Sequence, residues 1–450
     1  MSPTAGAPGP VDISRATAAA PFPQLRLRAA GGPLLDLPWE LPLADWPTDH
    51  LQFRDLPVGP SRHLVRFLVT AETMYALKEL PDEIAGREYD VLRTLEVLDL
   101  PAVKASGLAE SPERDSAILI TEYLRHSLQY RRLLARFPSG PGPHRDRLLD
   151  AMAWLLVDLH RSGVYWGDCS LANTLFRRDG DRIQAFLVDA ETSEVHPSLS
   201  DGQRNYDLDV LVENVGFGLA DLAAEQSRPE EVDDAIQAAE SVRDRYQAVW
   251  DELHQEARLA SGDRFAIRAR VRRLNDLGFA VDEIEVSPGG NGTEMRLRVT
   301  VSNRRFHARE LQRLTGLVAL EGQARLLLND LHEYAAWVDI NRRRKLSEQE
   351  GADVWLTEVL QPVVDRLRPA IGPTRDPIQA YCDVLEEKWL LSERAGTDVG
   401  LEAAIAGYLS KGAPGPETGS RSSSDISLDL VGDVASVQDD GPPGRICATE

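Results

Sequence analysis

The 450-residue chain predicts an α+β protein with two successive folded parts between low-complexity termini, on three observations. Alternating strands at Leu64–Thr70 and Met74–Glu79 run into a helical pattern within the first hundred residues. Leu148, Leu149, Met152, Leu155, Leu156 and Leu159 form one strongly amphipathic helical face further on. In the second half, Met295, Leu297, Val299 and Val301 alternate with polar residues as one arm of a hairpin, among longer helical stretches. At 42% hydrophobic residues the chain is able to bury two sizeable cores.

Met1 to Pro23 is rich in Pro, Ala, Gly and Ser without apolar periodicity, which predicts a disordered segment over residues 1–30. The first folded domain is expected over 31–225. It opens on Leu37-Pro38-Trp39-Glu40-Leu41-Pro42-Leu43-Ala44-Asp45-Trp46-Pro47, whose aromatic anchors between prolines suit an extended strap packed on a sheet. The turn Pro57-Val58-Gly59-Pro60-Ser61-Arg62-His63 follows. It reads either as an ordinary hairpin loop or as a phosphate-covering loop, with Arg62, Ser61 and the amides beside Gly59 as donors.

The next strand carries one of only five lysines, Lys78, in a chain whose positive charge is almost all arginine. An ammonium directed at phosphates accounts for that placement, whereas a solvated strand position would ordinarily hold Arg here. Ten residues on, Glu88 opens a helical pattern through Tyr89, Leu92 and Leu95 and is placed to pair with Lys78. A strand at Ala117–Tyr123 leads to a hinge around Glu122–Leu124, where backbone amides would meet adenine. The helix ending at Leu159 then delivers the chain to His160, read as a structural residue at a helix C-terminus, and on to Gly167-Asp168-Cys169-Ser170-Leu171-Ala172-Asn173.

That last stretch, with Leu187-Val188-Asp189 closing the next apolar run, has the layout of a phosphotransfer site. A carboxylate five residues before an Asn, and a second Asp after a short strand, supply an acceptor-orienting group and two oxygen ligands for Mg²⁺ on ATP phosphates. Cys169 reads as a small buried loop residue.

In order, Lys78, Glu88, Leu159-His160-Arg161-Ser162-Gly163, Asp168, Asn173 and Asp189 resemble the protein-kinase-like fold. The branch is that of the bacterial lipopolysaccharide (Kdo-type) kinases and aminoglycoside phosphotransferases. The resemblance covers about Leu51 to Leu222 and implies a two-lobed domain with Asp168 catalytic, Lys78 and Glu88 on the phosphates and Asn173 and Asp189 on the metal. It also implies that Asp207, in Arg204-Asn205-Tyr206-Asp207-Leu208, anchors the catalytic loop from beneath. The whole chain is similar to an actinobacterial family with an uncharacterised domain after the kinase-like region.

The chain also departs from that pattern. Trp166-Gly167 replaces the His or Arg before the catalytic Asp, and Ala190-Glu191 replaces Phe-Gly after Asp189. Glu191 reads either as a further metal-proximal carboxylate or as a strand-end residue facing water. No Ala-Pro-Glu follows, and Glu191 to Arg204 is short for a peptide-docking segment, which argues against a conventional protein kinase.

After Leu222, the charged helical stretch Arg228–Leu259 is either a solvated connector or the first helix of a new domain. A smaller α+β accessory domain is expected over 226–410. It comprises a helix closed by Gly278, the hairpin arms Val281–Val286 and Glu294–Val301 around Pro288-Gly289-Gly290-Asn291-Gly292, and helices near Leu311–Ile340, Glu348–Leu367 and Pro377–Ala395. The polar clusters Gln323, Arg325, Asn329, Asp330 and His332, and Glu386, Lys388, Trp389, Ser392 and Glu393, read either as lining of a substrate or partner groove or as the polar sides of packed helices. Residues 411–450 are expected to be disordered.

A formal charge of −22 and a pI near 4.9 argue against nucleic acid or an anionic membrane as partner. Three cysteines, Cys169, Cys382 and Cys447, make no disulfide framework or zinc site. No signal peptide or membrane span is recognisable, so the expected location is cytoplasmic. The sequence thus points to an ATP- and Mg²⁺-dependent kinase-like phosphotransferase acting on a hydroxyl of a small molecule or sugar-containing acceptor. The alternative is a pseudokinase or nucleotide-binding scaffold whose C-terminal domain binds a protein partner.

Overall fold

The computed structural model describes residues 24–56, 62–70, 73–134, 142–260, 264–288, 294–343, 345–373 and 375–413. Gly59 and Ser61, the turn 289–293 and the tail from 414 lie outside the described residues. The chain divides into two compact units, residues 1–94 with 103–123, and residues 95–102 with 124–450. One division falls between Tyr123 and Leu124, inside the segment assigned to a hinge.

Among the described residues, the strands of the first unit form one six-stranded sheet, in the order β1-β5-β6-β4-β3-β2 and antiparallel throughout. These are β1 (Gln24–Leu27), β2 (Phe53–Arg54), β3 (Leu64–Val69), β4 (Met74–Leu80), β5 (Ala105–Ser111) and β6 (Ser116–Glu122). Helix α1 (Asp82–Val97) follows β4, with Asp82 and Glu83 in its first turn where the helix dipole favours acids. β1 lies within the stretch expected to be disordered. It is ordered by edge pairing with β5, Gln24 opposite Glu110 and Leu27 opposite Gly107, which no local periodicity reveals.

The strap between prolines is present, tightened by a 3₁₀ turn at Leu43–Asp45. Trp39, Leu43 and Trp46 are buried with Tyr75, Leu77, Ile118 and Ile120 in the core of this unit. The two indoles meet edge to face at 5.1 Å. Arg66 donates to the Leu43 and Trp46 carbonyls at 2.9 and 3.3 Å, and Glu79 accepts from the Leu43 amide at 3.1 Å, so the strap is bonded to β3 and β4.

In the second unit, β7 (Ser127–Leu128) and α2 (Tyr130–Leu134) precede α3 (Pro143–Arg161), the amphipathic helix read from its leucines. Then come β8 (Val164–Tyr165), the hairpin β9 (Thr174–Asp179) and β10 (Arg182–Leu187), β11 (Glu194–Val195) and α4 (Asp201–Glu225). A reciprocal capping box, Ser200 with Gln203, starts α4. Helix α5 (Val232–His254) is neither a solvated connector nor the start of a separate body. Its buried Ala235, Ala238, Ala239, Val242, Tyr246 and Leu253 form a stripe that packs on α3 and α4. The charged residues between those positions hid the stripe in the sequence.

β12 (Ala257–Ala260), α6 (Arg264–Asp276), β13 (Phe279–Pro288) and β14 (Glu294–Arg304) come next, with β14 central in a three-stranded sheet. The helices are α7 (Phe306–Thr315), α8 (Glu321–Arg342), α9 (Glu348–Trp355), α10 (Gln361–Ile371), α11 (Pro377–Ala395) and α12 (Gly400–Ser410). The single helix expected over Leu311–Ile340 is broken after Thr315 by Gly316 in the left-handed conformation. Leu327, Leu331, Trp355, Leu367, Tyr381 and Tyr408 lie in the core of these helices. The polar face on α8 is structural, since Asp330 accepts from Trp355 Nε1 at 2.7 Å and from the Tyr381 hydroxyl at 2.6 Å.

Gly163, between α3 and β8, has φ +77°, and a Cβ there would lie 2.0 Å from the His196 carbonyl oxygen. Gly163→Ala is therefore expected to lower stability by about 2–4 kcal/mol through strain and displaced backbone. Gly202→Ala, in the first turn of α4 with Ser200 Oγ at 3.9 Å as the nearest atom, should be neutral or stabilising by up to ~1 kcal/mol. Thermal melts of the two variants check this, and equal losses would contradict it.

Candidate functional site

In the first unit, β4 and α1 bring Lys78 and Glu88 together. Lys78 Nζ lies 3.1 Å from Glu88 Oε2 and 3.5 Å from Oε1. Glu88 is 1% exposed, and a carboxylate so buried is retained only with a cationic partner. The pair thus ties α1 to β4 through an enclosed carboxylate rather than by a surface attraction. Arg62 is exposed in the bend before β3.

In the second unit the loop 166–173 hangs on one carboxylate. Asp207, on α4 and 0% exposed, accepts from the Trp166 amide at 2.7 Å, the Gly167 amide at 2.8 Å and His160 Nε2 at 3.1 Å. This is the anchoring role that the resemblance implies. Because Asp207 holds backbone amides, replacement of the usual His or Arg by Trp166 leaves the anchor intact. His160 is structural as expected, its Nδ1 lying 2.9 Å from the Tyr246 hydroxyl on α5. Burial holds the imidazole below its ordinary pKa, although the hydrogen bond to Asp207 opposes this. Gly167, at φ +83°, approaches Thr192 so closely that a Cβ would sit 2.9 Å from its carbonyl oxygen. Thr192 and Ser193 hydroxyls donate back to the Trp166 carbonyl at 2.9 and 3.2 Å.

Asp168 is exposed within this loop. Its Oδ2 accepts from Asn173 Nδ2 at 2.9 Å, and its Oδ1 from Asn214 Nδ2 at 3.4 Å. A carboxylate has about four acceptor directions, so capacity remains for a hydroxyl. Asn214 also donates to the Cys169 carbonyl at 2.9 Å. It was not found from the sequence, because an Asn in the middle of a long helix carries no local signature. Cys169 itself is fully buried, and burial first, then Asp207, pushes its thiol pKa well above the ordinary value, which suits a packing residue and not a nucleophile.

Asn173 and Asp189 stand at the open end of the β9–β10 hairpin. Thr174 pairs with Leu187, and the Val188 amide donates to the Asn173 carbonyl at 3.1 Å. The ladder therefore sets Asn173 opposite Val188, one residue before Asp189, and brings both to the same end of the hairpin. With its N–H committed to Asp168, Asn173 is left with its amide oxygen for a hard cation. An amide oxygen and a carboxylate at one end of a hairpin make a donor set that suits Mg²⁺ shared with phosphates. Asp189 Oδ1 also accepts from the Glu191 amide at 3.2 Å. Among the described residues no helix is long and apolar enough to cross a membrane.

Residues 69–226 match the model of the lipopolysaccharide kinase (Kdo/WaaP) family, and residues 248–412 match a domain of unknown function, DUF4032. Lipopolysaccharide core heptose(I) kinase WaaP of Pseudomonas aeruginosa is 25% identical over 142 residues, covering 30% of this chain and 53% of the relative. The chain thus spans about half the length of that curated relative. A solved structure titled WaaP in complex with acyl carrier protein aligns at TM-score 0.33 and 18% identity, over 50% of this chain and 99% of that one.

Because folded His160 resists protonation, its contribution to stability is complete above an ordinary histidine pKa of about 6.5 and is lost as pH falls below it. The melting temperature should fall between about pH 7 and pH 5. His160→Gln should be less stable by about 1–3 kcal/mol at neutral pH, through loss of a buried bond, and should show a shallower acid decline. A decline as steep in the variant as in the wild type would assign the sensitivity elsewhere.

Proposed function

For a chain that carries a Kdo/WaaP lipopolysaccharide-kinase-family domain followed by DUF4032, we propose ATP- and Mg²⁺-dependent transfer of a phosphoryl group to a hydroxyl of a small, sugar-containing acceptor in the cytoplasm. The observation that carries this reading is the constellation of Asp168, Asn173 and Asp189 on one anchored loop and one hairpin. The name of the Pseudomonas aeruginosa relative, a heptose kinase, supports the sugar class of the acceptor.

Lys78, held by Glu88, supplies positive charge to phosphate oxygens. Asn173 and Asp189 are the residues that hold Mg²⁺, which when bound offsets charge on the phosphates. Asp168 orients the acceptor hydroxyl and takes its proton. The hydroxyl oxygen bonds to the γ-phosphorus as the bond to the β–γ bridging oxygen breaks, and ADP departs. Asn173 and Asn214 fix the Asp168 carboxylate from two sides, so little reorientation is needed when the acceptor arrives. Arg62, and Gly59 and Ser61 ahead of it, remain the proposed phosphate-loop donors.

ATP should raise the melting temperature clearly with Mg²⁺ and only weakly without it, and Lys78→Met and Asp189→Asn should each reduce that shift. Differential scanning fluorimetry across a Mg²⁺ series reads this directly. Absence of any ATP response at saturating Mg²⁺ would remove the reading.

Asp168→Asn should leave Mg²⁺-ATP affinity near the wild-type value while lowering turnover on the order of a hundredfold or more. Asn214→Ala should give an intermediate loss, on the order of tenfold, because the carboxylate is still present but less constrained. Turnover is measured as ADP release with a fractionated metabolite pool as acceptor. Equal turnover in wild type and Asp168→Asn would end the catalytic assignment, and a wild type that binds Mg²⁺-ATP without turnover is the outcome that selects the scaffold.

A further inference from the structure

The far end of the β9–β10 hairpin is the turn Asp179-Gly180-Asp181, and every residue of that turn is bonded to the C-terminal helices. Asp179, 3% exposed, accepts from the Gly322 amide at 2.9 Å and the Gln323 amide at 2.8 Å in the first turn of α8. The side-chain amide of Gln379, on α11, is bonded twice to Gly180, accepting from its N–H and donating to its carbonyl, each at 2.9 Å. Arg325 donates to both Asp181 oxygens at 2.8 Å. One residue earlier, Arg178 pairs with the buried Asp383 at 2.6 Å. No side chain separates the two backbones. A Cβ on Gly322 would lie 2.4 Å from the Asp179 carbonyl oxygen, and one on Gly180 would lie 2.9 Å from that of Gly322.

A second grip lies on α3, the helix that leads into the Asp168 loop. Arg161 donates to the Val301 carbonyl at 2.8 Å and covers the Phe279 ring, while Arg304 reaches Asp158 at 3.3 Å and covers Trp154. Both inputs to the loop and hairpin are therefore held by residues of the 248–412 region.

A two-stranded hairpin is at best marginally stable by itself, and β7 supports β9 at only two residues, Arg177 and Phe176. Holding Asn173 and Asp189 in register at one end requires that the ladder not fray from the other. We propose that the C-terminal domain is a brace for the hairpin that carries the metal-holding residues, with Gln379, Arg325 and the first turn of α8 acting as positioning groups. This rests on the phosphotransfer reading for its link to the metal. It gives the uncharacterised domain a part in the reaction without contact with substrate.

The test uses the full-length chain, with Gln379→Ala and the milder, part-exposed Arg325→Ala. Amide hydrogen exchange across residues 173–189 should accelerate in both variants, more in Gln379→Ala, while exchange in β3, β4 and α1 stays at wild-type rates. The Mg²⁺ concentration giving half of the ATP-dependent melting shift should rise roughly three- to thirtyfold, the range for coupling through a packed network. Unchanged hairpin exchange in both folded variants, or an unchanged Mg²⁺ requirement, overturns the brace. A general loss of stability without a change in Mg²⁺ requirement falls in that second case. If the wild type itself shows no Mg²⁺-ATP response, the phosphotransfer reading falls, and exchange alone decides whether the domain holds the hairpin.

Discussion

The Asp207 carboxylate is the point on which the loop 166–173 depends. It is buried, and it takes donors from two other parts of the lobe, His160 at the end of α3 and the amides of Trp166 and Gly167. A buried charge is tolerated only when its acceptor directions are filled. The same requirement therefore fixes the helix end, the loop backbone and α4 relative to one another. Tyr246 extends the network to α5 through His160, which explains why a helix following the matched kinase-family region is packed as part of the same lobe.

From that anchor outward the site becomes progressively more exposed. The loop backbone is buried at Trp166 and Cys169, and Asp168 emerges at the surface with its carboxylate held by two amides. Rigid support beneath an accessible functional group is the arrangement in which little reorganisation accompanies chemistry. The first unit shows the same logic in Lys78, which remains partly accessible while its partner Glu88 is enclosed.

What the sequence revealed and what it hid divide by the range of the interactions. Lys78 and Glu88 were legible because a rare residue type on a strand is followed at helical distance by an acid. Asp168, Asn173 and Asp189 were legible because their spacing follows from a loop and a hairpin that are local in the chain. Asn214 was not, since it acts through the tertiary approach of α4 to the loop. α5 was misread because its polar residues outnumber the small apolar ones that pack. Asp179-Gly180-Asp181 has the composition of any tight turn. Nothing near it signals that its partners lie in helices far along the chain.

The separations in that last contact, 143 residues from Asp179 to Gly322, 199 from Gly180 to Gln379 and 205 from Arg178 to Asp383, set an order of events during synthesis. At roughly 5–20 residues per second, Arg178 is incorporated about 10–40 seconds before Asp383. Throughout that interval the hairpin turn faces water, and its charges have only solvent to satisfy them. The kinase-like lobe of a nascent chain is thus open at its hairpin, and the turn closes only as α8 and α11 arrive. Closure of the hairpin turn is tied to synthesis of α8 and α11, so a polypeptide released before them carries Asp168, Asn173 and Asp189 without the contacts that hold the far end of the hairpin.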